Sequence, residues 1–160
     1  MNTSGKAVNL EALADTMENM IEEHLYLLHK HTYEIVDIDY YYYQVVEENE
    51  EHDLYHGRLD WEKKVIEQAK DVFEHEDDYL AIPNQYDLNE YQMLKKFCNL
   101  LSEADCTSCL QSIQGKGAFR RFKAFIRHIG LENEWYKFRS EKIKEIATLW
   151  CKANGLPFNI

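Results

Sequence analysis

The chain has 160 residues, 45% of them hydrophobic and 13% aromatic, which is enough apolar material for a folded core and too much for a disordered tail. No apolar run approaches the ~20 residues that span a bilayer, and the first residues, Met1 to Lys6, lack the apolar stretch of a secretory signal, so the expectation is a cytoplasmic protein with no membrane partner. The net charge of -11 is uneven: residues 1–114 carry 8 Lys/Arg against 25 Asp/Glu, and residues 115–160 carry 10 against 4. Overall acidity disfavours nucleic acid at long range, and the asymmetry leaves two readings, mutual neutralisation within the fold or a basic face for an anion.

Residues 1–7 read as a flexible tail. From Val8 to about Ile21, Leu10, Leu13, Met17 and Met20 recur at steps of three and four, which predicts a helix with Asn9 placed to cap it. From His24 to about Asp39 the period changes to two, and β-prone runs flank Lys30-His31-Thr32, which predicts a hairpin with no glycine in its turn. The run Tyr40 to Tyr43 has no clear assignment, and the acidic stretch Glu47 to Asp53 reads as a solvated face or loop. Asp60 is placed to cap a helix through about Glu74, with Trp61, Val65, Ile66, Ala69, Val72 and Phe73 on its apolar side. Tyr79 to Pro83 predicts a third strand beside the hairpin, since a lone two-stranded ribbon is marginal in water.

After Asp87 the chain reads as helical almost to its end. Asp87 with Glu90, and Ser102 with Asp105, have the spacing of capping boxes. Gly115 is placed to end one helix, Gly117 to begin the next, Gly130 to end that one, and Asn154-Gly155 to end the last. The expected architecture is a single α+β domain over residues 1–160. It is mainly helical, with a small antiparallel sheet of about three strands in the N-terminal half.

The most unusual local composition is Gly115-Lys-Gly-Ala-Phe-Arg-Arg-Phe-Lys123. At 100° per residue, Phe119, Phe122, Phe125, Ile126 and Ile129 share one arc, Arg120, Lys123 and Arg127 form a stripe beside it, and Arg121 lies on the other flank. The rings therefore read as core and the cations as edge. Two glycines free the turn to aim backbone amides at an anion, so Gly115, Lys116, Gly117, Arg120, Lys123 and Arg127 form a candidate anion site. The competing reading is a tight helix–helix turn whose cations pair with nearby acids, and the phosphate-loop pattern with its second glycine and Lys-Ser/Thr is absent. Arg139 and Lys142 project into the apolar arc of the last helix, so each must snorkel or find an acid, for which Glu47–Asp53 and Glu74–Asp78 are candidates. Arg139 is thus a buried or ligand-facing cation.

Cys98, Cys106, Cys109 and Cys151 do not suggest a disulfide framework. Cys106 and Cys109 have the spacing of half a zinc site, but no second pair exists, and all four read as small core residues. His29 with His31 and His52 with His56 are paired in sequence without an evident third ligand, so no metal is expected. No nucleophile–base pattern stands out, and no catalytic residue or cofactor is assigned.

With these residues in view, the chain resembles uncharacterised protein family 0158, a group of small bacterial proteins. The resemblance rests on Gly115 to Lys123, then Trp135-Tyr-x-Phe138, Ala147-x-x-Trp150 and Gly155, with a weaker match through Thr32-x-Glu34 and Tyr79-Leu-x-Ile-Pro83. Tyr33 stands where the family's turn usually has Gly, Cys109 where it tends to have Leu, and residues 40–75 are longer and more acidic. The resemblance implies no activity, cofactor or catalytic residue. The expected function is a binding or regulatory domain whose basic turn contacts an acidic protein partner or a phosphate-bearing small molecule. The alternatives are an enzyme acting on a phosphorylated or nucleotide substrate, and a purely structural basic helix.

Overall fold

The computed structural model describes residues 6–49 and 53–160. The first five positions of the expected tail, and His52, lie outside the described residues. The chain divides into two compact units, Met1–Ile82 with Trp150–Ile160, and Pro83–Leu149.

In the first unit, helix α1 (Leu10–Glu18) starts where the sequence placed its cap: the Asn9 side-chain oxygen accepts from the Ala12 amide at 3.0 Å. Val8 is not helical. With Asn9 it forms strand β1, which pairs in parallel with β5 (Phe158–Asn159), and its amide donates to the Pro157 carbonyl at 2.8 Å. Two residues of strand are too short to show a period in the sequence. The helix stops at Glu18, short of the expected end near Ile21, and Ile21 is 59% exposed.

Strands β2 (His24–His29) and β3 (Ile35–Asp39) form the expected hairpin, and β4 (Tyr79–Ala81) adds antiparallel to β2, giving the order β3-β2-β4. The fold is α+β, as read from the sequence. The turn works without glycine by two devices. The His29 imidazole Nδ1 accepts from the amides of His31 and Thr32, each at 3.1 Å. Tyr33 adopts a left-handed φ of 62°, which brings its amide 2.9 Å from the His29 carbonyl.

The unassigned tyrosine run is a helix, α2 (Tyr40–Glu47), capped by Asp39, whose carboxylate accepts from the Tyr41 amide at 2.9 Å. Tyr42 and Val46, four apart, are its buried pair. Four identical residues carry no apolar period, which is why the sequence left the run open. Helix α3 (Asp60–Glu74) buries Ile66, Ala69 and Val72. Its cap is Leu59, with no side-chain bond, and Asp60 is the first helical residue, not the cap. Trp61 and Phe73, expected inside, are 56% and 42% exposed. One face of the hairpin packs Val36 and Ile38 against these α2 and α3 residues. The Tyr79 hydroxyl donates to the Asp71 carboxylate on α3, and burial together with that carboxylate pushes its pKa well above the ordinary tyrosine value.

The second unit is helical. Helix α4 (Gln85–Leu88) opens with a reciprocal capping box: Asn84 accepts from the Asp87 amide at 3.2 Å, and Asp87 accepts from the Asn84 amide at 2.9 Å. Asp87 therefore answers Asn84 and is not itself the cap expected for the next helix, α5 (Glu90–Asn99), which follows Asn89. Helix α6 (Glu103–Ser112) is capped by Ser102, as its spacing with Asp105 predicted. Helices α7 (Ala118–His128) and α8 (Glu132–Ala153) complete the unit, and the final residues of α8, from Trp150, group with the first unit. The core is aromatic: Phe122 meets Trp135 edge-on at 4.8 Å between centroids, and Phe97 meets Trp135 at 5.4 Å.

One cysteine expectation is overturned. Cys98 on α5 and Cys109 on α6 form a disulfide, with both side chains fully buried. Apolar periodicity placed both sulfurs inward but could not show that α5 and α6 bring them together. Cys106 is free and half-exposed, not core, and its thiol points at the Asn99 side-chain oxygen at 3.6 Å. Cys151 is free and buried, and burial pushes its thiol pKa up.

Candidate functional site: the α7 cations and an adjoining aromatic cleft

The turn before α7 is built from two left-handed glycines, Gly115 at φ 72° and Gly117 at φ 78°. At Gly117 a side chain would be strained by backbone conformation, and its Cβ would also come within 3.0 Å of the Arg121 guanidinium. That guanidinium organises the turn. Its Nε donates to the Ser112 carbonyl at 2.7 Å, Nη1 donates to the Lys116 carbonyl, and Nη2 donates to the Gln114 carbonyl and, at 3.5 Å, to that of Gly115. Arg121 thus satisfies the Ser112 carbonyl at the end of α6 and three carbonyls of the turn that follows it. It is committed to structure, consistent with its place on the flank away from the basic stripe.

The stripe itself faces outward. Lys116, Arg120 and Lys123 are exposed, and none has an ion-pair partner among the described residues. Arg127 approaches Glu132 at 3.6 Å, with side chains 70% and 39% exposed, a pair of small energetic weight. Behind the stripe, Ala118, Phe122 and Ile126 are buried, and Phe125 and Ile129 are half-buried. Phe119, expected in the core, stands at the rim and is 43% exposed.

Arg139 has a partner on α5 that the sequence reading does not name. Glu90 on α5 accepts from its Nε at 3.1 Å and from its Nη2 as well, with both side chains mostly shielded. Lys142 lies 3.4 Å from Glu145 and over the Phe138 ring. The acid that Lys142 meets, Glu145, lies on its own helix and outside the acidic stretches proposed from the sequence.

Lys123 and Arg139 line one cleft of about 230 Å³, together with Glu90, Phe119, Trp135 and Tyr136. Tyr136 is 49% exposed at its edge. Among the described residues the lining sets two cations and one carboxylate against aromatic walls. Glu90 is the single carboxylate among the described residues of this lining. The sequence marks Glu90 only as a capping residue, and no sequence signal links it to Arg139, forty-nine positions away. Among the described residues no group of three or more His, Cys, Asp or Glu side chains could hold a metal ion, and no helix is long and apolar enough to cross a membrane.

A family model described as Uncharacterised protein family (UPF0158) matches residues 17–160, and the chain belongs to that family. No curated protein and no solved structure matches the chain.

Proposed function

Membership of UPF0158 brings no activity with it, and we propose, from the residues, that the chain is a binding module for an anionic ligand, an acidic protein segment or a phosphate-bearing small molecule. The observation that carries this reading is the contrast within α7. Arg121 is spent on the turn, whereas Lys116, Arg120 and Lys123 are held in water without acidic partners among the described residues, in a chain with 29 Asp and Glu. Residues 83–149 carry 11 Lys/Arg against 8 Asp/Glu, and the rest of the chain carries 7 against 21. A cationic stripe maintained in so acidic a chain favours oxyanions through charge-assisted hydrogen bonds. Gly115 and Gly117 serve by holding the turn in shape, and Arg127 adds a screened charge at the far end.

The test is titration calorimetry with pyrophosphate and with a hexaglutamate peptide, on the full chain and on the double variant Arg120→Glu/Lys123→Glu. Binding of either probe that weakens as salt rises, and is lost in a double variant with unchanged circular dichroism, is the expected result. A chain that binds neither probe, or a double variant that binds as well as wild type, overturns the reading.

A further inference from the structure

Beside the cleft runs a more open groove of about 370 Å³, lined by Tyr86, Tyr91 and Phe119 with Gln85, Asn89 and Glu90 among them. Glu90 and Phe119 line both cavities, so groove and cleft adjoin around those two side chains. The groove lies within the roughly 300–1,000 Å³ typical of small-molecule sites.

Its rings divide into two kinds. Tyr91 is fixed: its hydroxyl donates to the Ile113 carbonyl at 3.2 Å, and the Lys95 ammonium sits 5.1 Å from its ring centre. Tyr86 and Phe119 are not fixed in this way. They are 83% and 43% exposed, and among the described residues neither meets another ring. The side-chain amides of Gln85 and Asn89, each a donor and an acceptor, also line the groove, and they are exposed with no hydrogen-bond partner among the described residues. Asn89 also holds a left-handed φ of 49°.

We infer that groove and cleft form one site for a nucleoside phosphate, with the base stacked in the groove on Tyr86 and the phosphate at Lys123. This deepens the anion-binding reading and rests on it. The choice among ligands follows from what each would leave unused. An acidic peptide would satisfy the cations and leave two exposed rings and two unpaired amides idle. An organic ammonium would suit the rings, but it would meet Lys123 and Arg139, with Glu90 the one carboxylate among the described lining residues. A longer nucleic acid would bring many phosphates towards a chain of net charge -11. A single base with a short phosphate tail uses rings, amides and cation together, the amides matching the donor–acceptor edge of a base.

The experiment compares ADP, GDP, CDP and UDP with pyrophosphate by calorimetry on the full chain, so that the phosphates are held constant and the base is the variable. At least one nucleotide should bind ten times or more tighter than pyrophosphate. Tyr86→Ala, at a side chain almost wholly in water, should cut that nucleotide's affinity by about five- to a hundredfold, the range for losing one stacked base, while pyrophosphate binding stays within twofold. Lys123→Glu should remove both. If pyrophosphate binds as well as every nucleotide, the base half of the site is refuted and the anion-binding reading stands. If hexaglutamate binds and no nucleotide does, the ligand class is refuted and the anion reading again stands. A twelve-residue oligothymidylate that binds while no free nucleotide does overturns the free-nucleotide assignment. A chain that binds no anion sinks both readings together.

Discussion

The Arg121 Nε donates to the Ser112 carbonyl at 2.7 Å, nine residues back along the chain, and ties the start of α7 to the end of α6. Arg120, its neighbour in sequence, makes no such bond and lies in water. Two adjacent arginines therefore have opposite duties. Arg121→Lys should lower the unfolding free energy by about 2 kcal/mol, because an ammonium cannot span the carbonyls that a planar guanidinium reaches at once. Arg120→Lys should change it by no more than about 0.5 kcal/mol, as for an ordinary surface site. Urea denaturation of both variants measures the difference, and equal effects would refute the division.

The hairpin turn offers a gain. Tyr33 is held at φ 62°, a conformation costing a side-chain-bearing residue roughly 1–2 kcal/mol. Tyr33→Gly should therefore stabilise the chain by about 1 kcal/mol, the remainder being offset by glycine's greater freedom in the unfolded state. Tyr33→Ala should not stabilise it. The comparison is a pair of thermal melts, and a glycine variant that melts below wild type would show that the tyrosine ring contributes more than the backbone loses.

The Cys98–Cys109 bond leaves Cys106 and Cys151 as the free thiols. Unfolded without reductant, the chain should titrate two thiols with a chromogenic disulfide reagent, and four after reduction, matching its four cysteines. Reduction should also cost about 2–3 kcal/mol of stability, since the cross-link restricts the unfolded chain over a short loop. Four reactive thiols before reduction would mean that the bond does not form.

Tyr79 sets an alkaline limit. Its hydroxyl pKa is raised in the fold by burial and by Asp71, above the ordinary 10.0 that it regains on unfolding. Above about pH 10 the unfolded state therefore loses this proton before the folded state does, and stability falls as pH rises further. Tyr79→Phe should remove that part of the alkaline loss, while also forfeiting the Asp71 bond at neutral pH. Denaturation midpoints at pH 8 and pH 10.5 for both proteins test the sign.

Within the cleft, Glu90→Gln takes one negative charge from a lining shared with Lys123 and Arg139. Pyrophosphate affinity should rise, on the order of tenfold for a unit charge a few ångströms away in a medium of intermediate dielectric. An unchanged or weaker affinity, with the fold intact, would mean that the anion sits elsewhere on α7.

Local signals in the sequence were read well where the physics was local. Asn9 and Ser102 cap their helices, Gly115 and Gly117 shape the turn, the hairpin follows from alternation, and the third strand follows from a short apolar run closed by Pro83. What escaped depended on partners distant in sequence. Glu90 meets Arg139 across forty-nine residues, and Cys98 meets Cys109 only because α5 and α6 pack together. The helix at Tyr40–Glu47 escaped for another reason, since four like residues show no inner face until a sheet lies against one of them. Phe119 fell inside the predicted apolar arc, yet a helix cannot bury the whole of a wide arc, and its margin became the rim of a cleft.

The disulfide closes a covalent ring that includes Leu100, a side chain 70% exposed in the connection between α5 and α6. A protease that cuts beside Leu100 severs the backbone inside that ring, and the two pieces remain one molecule. Such a nick adds the mass of one water and leaves the chain migrating whole on a non-reducing gel. Only a reductant separates the fragments, so a sample judged intact without one can already be cleaved.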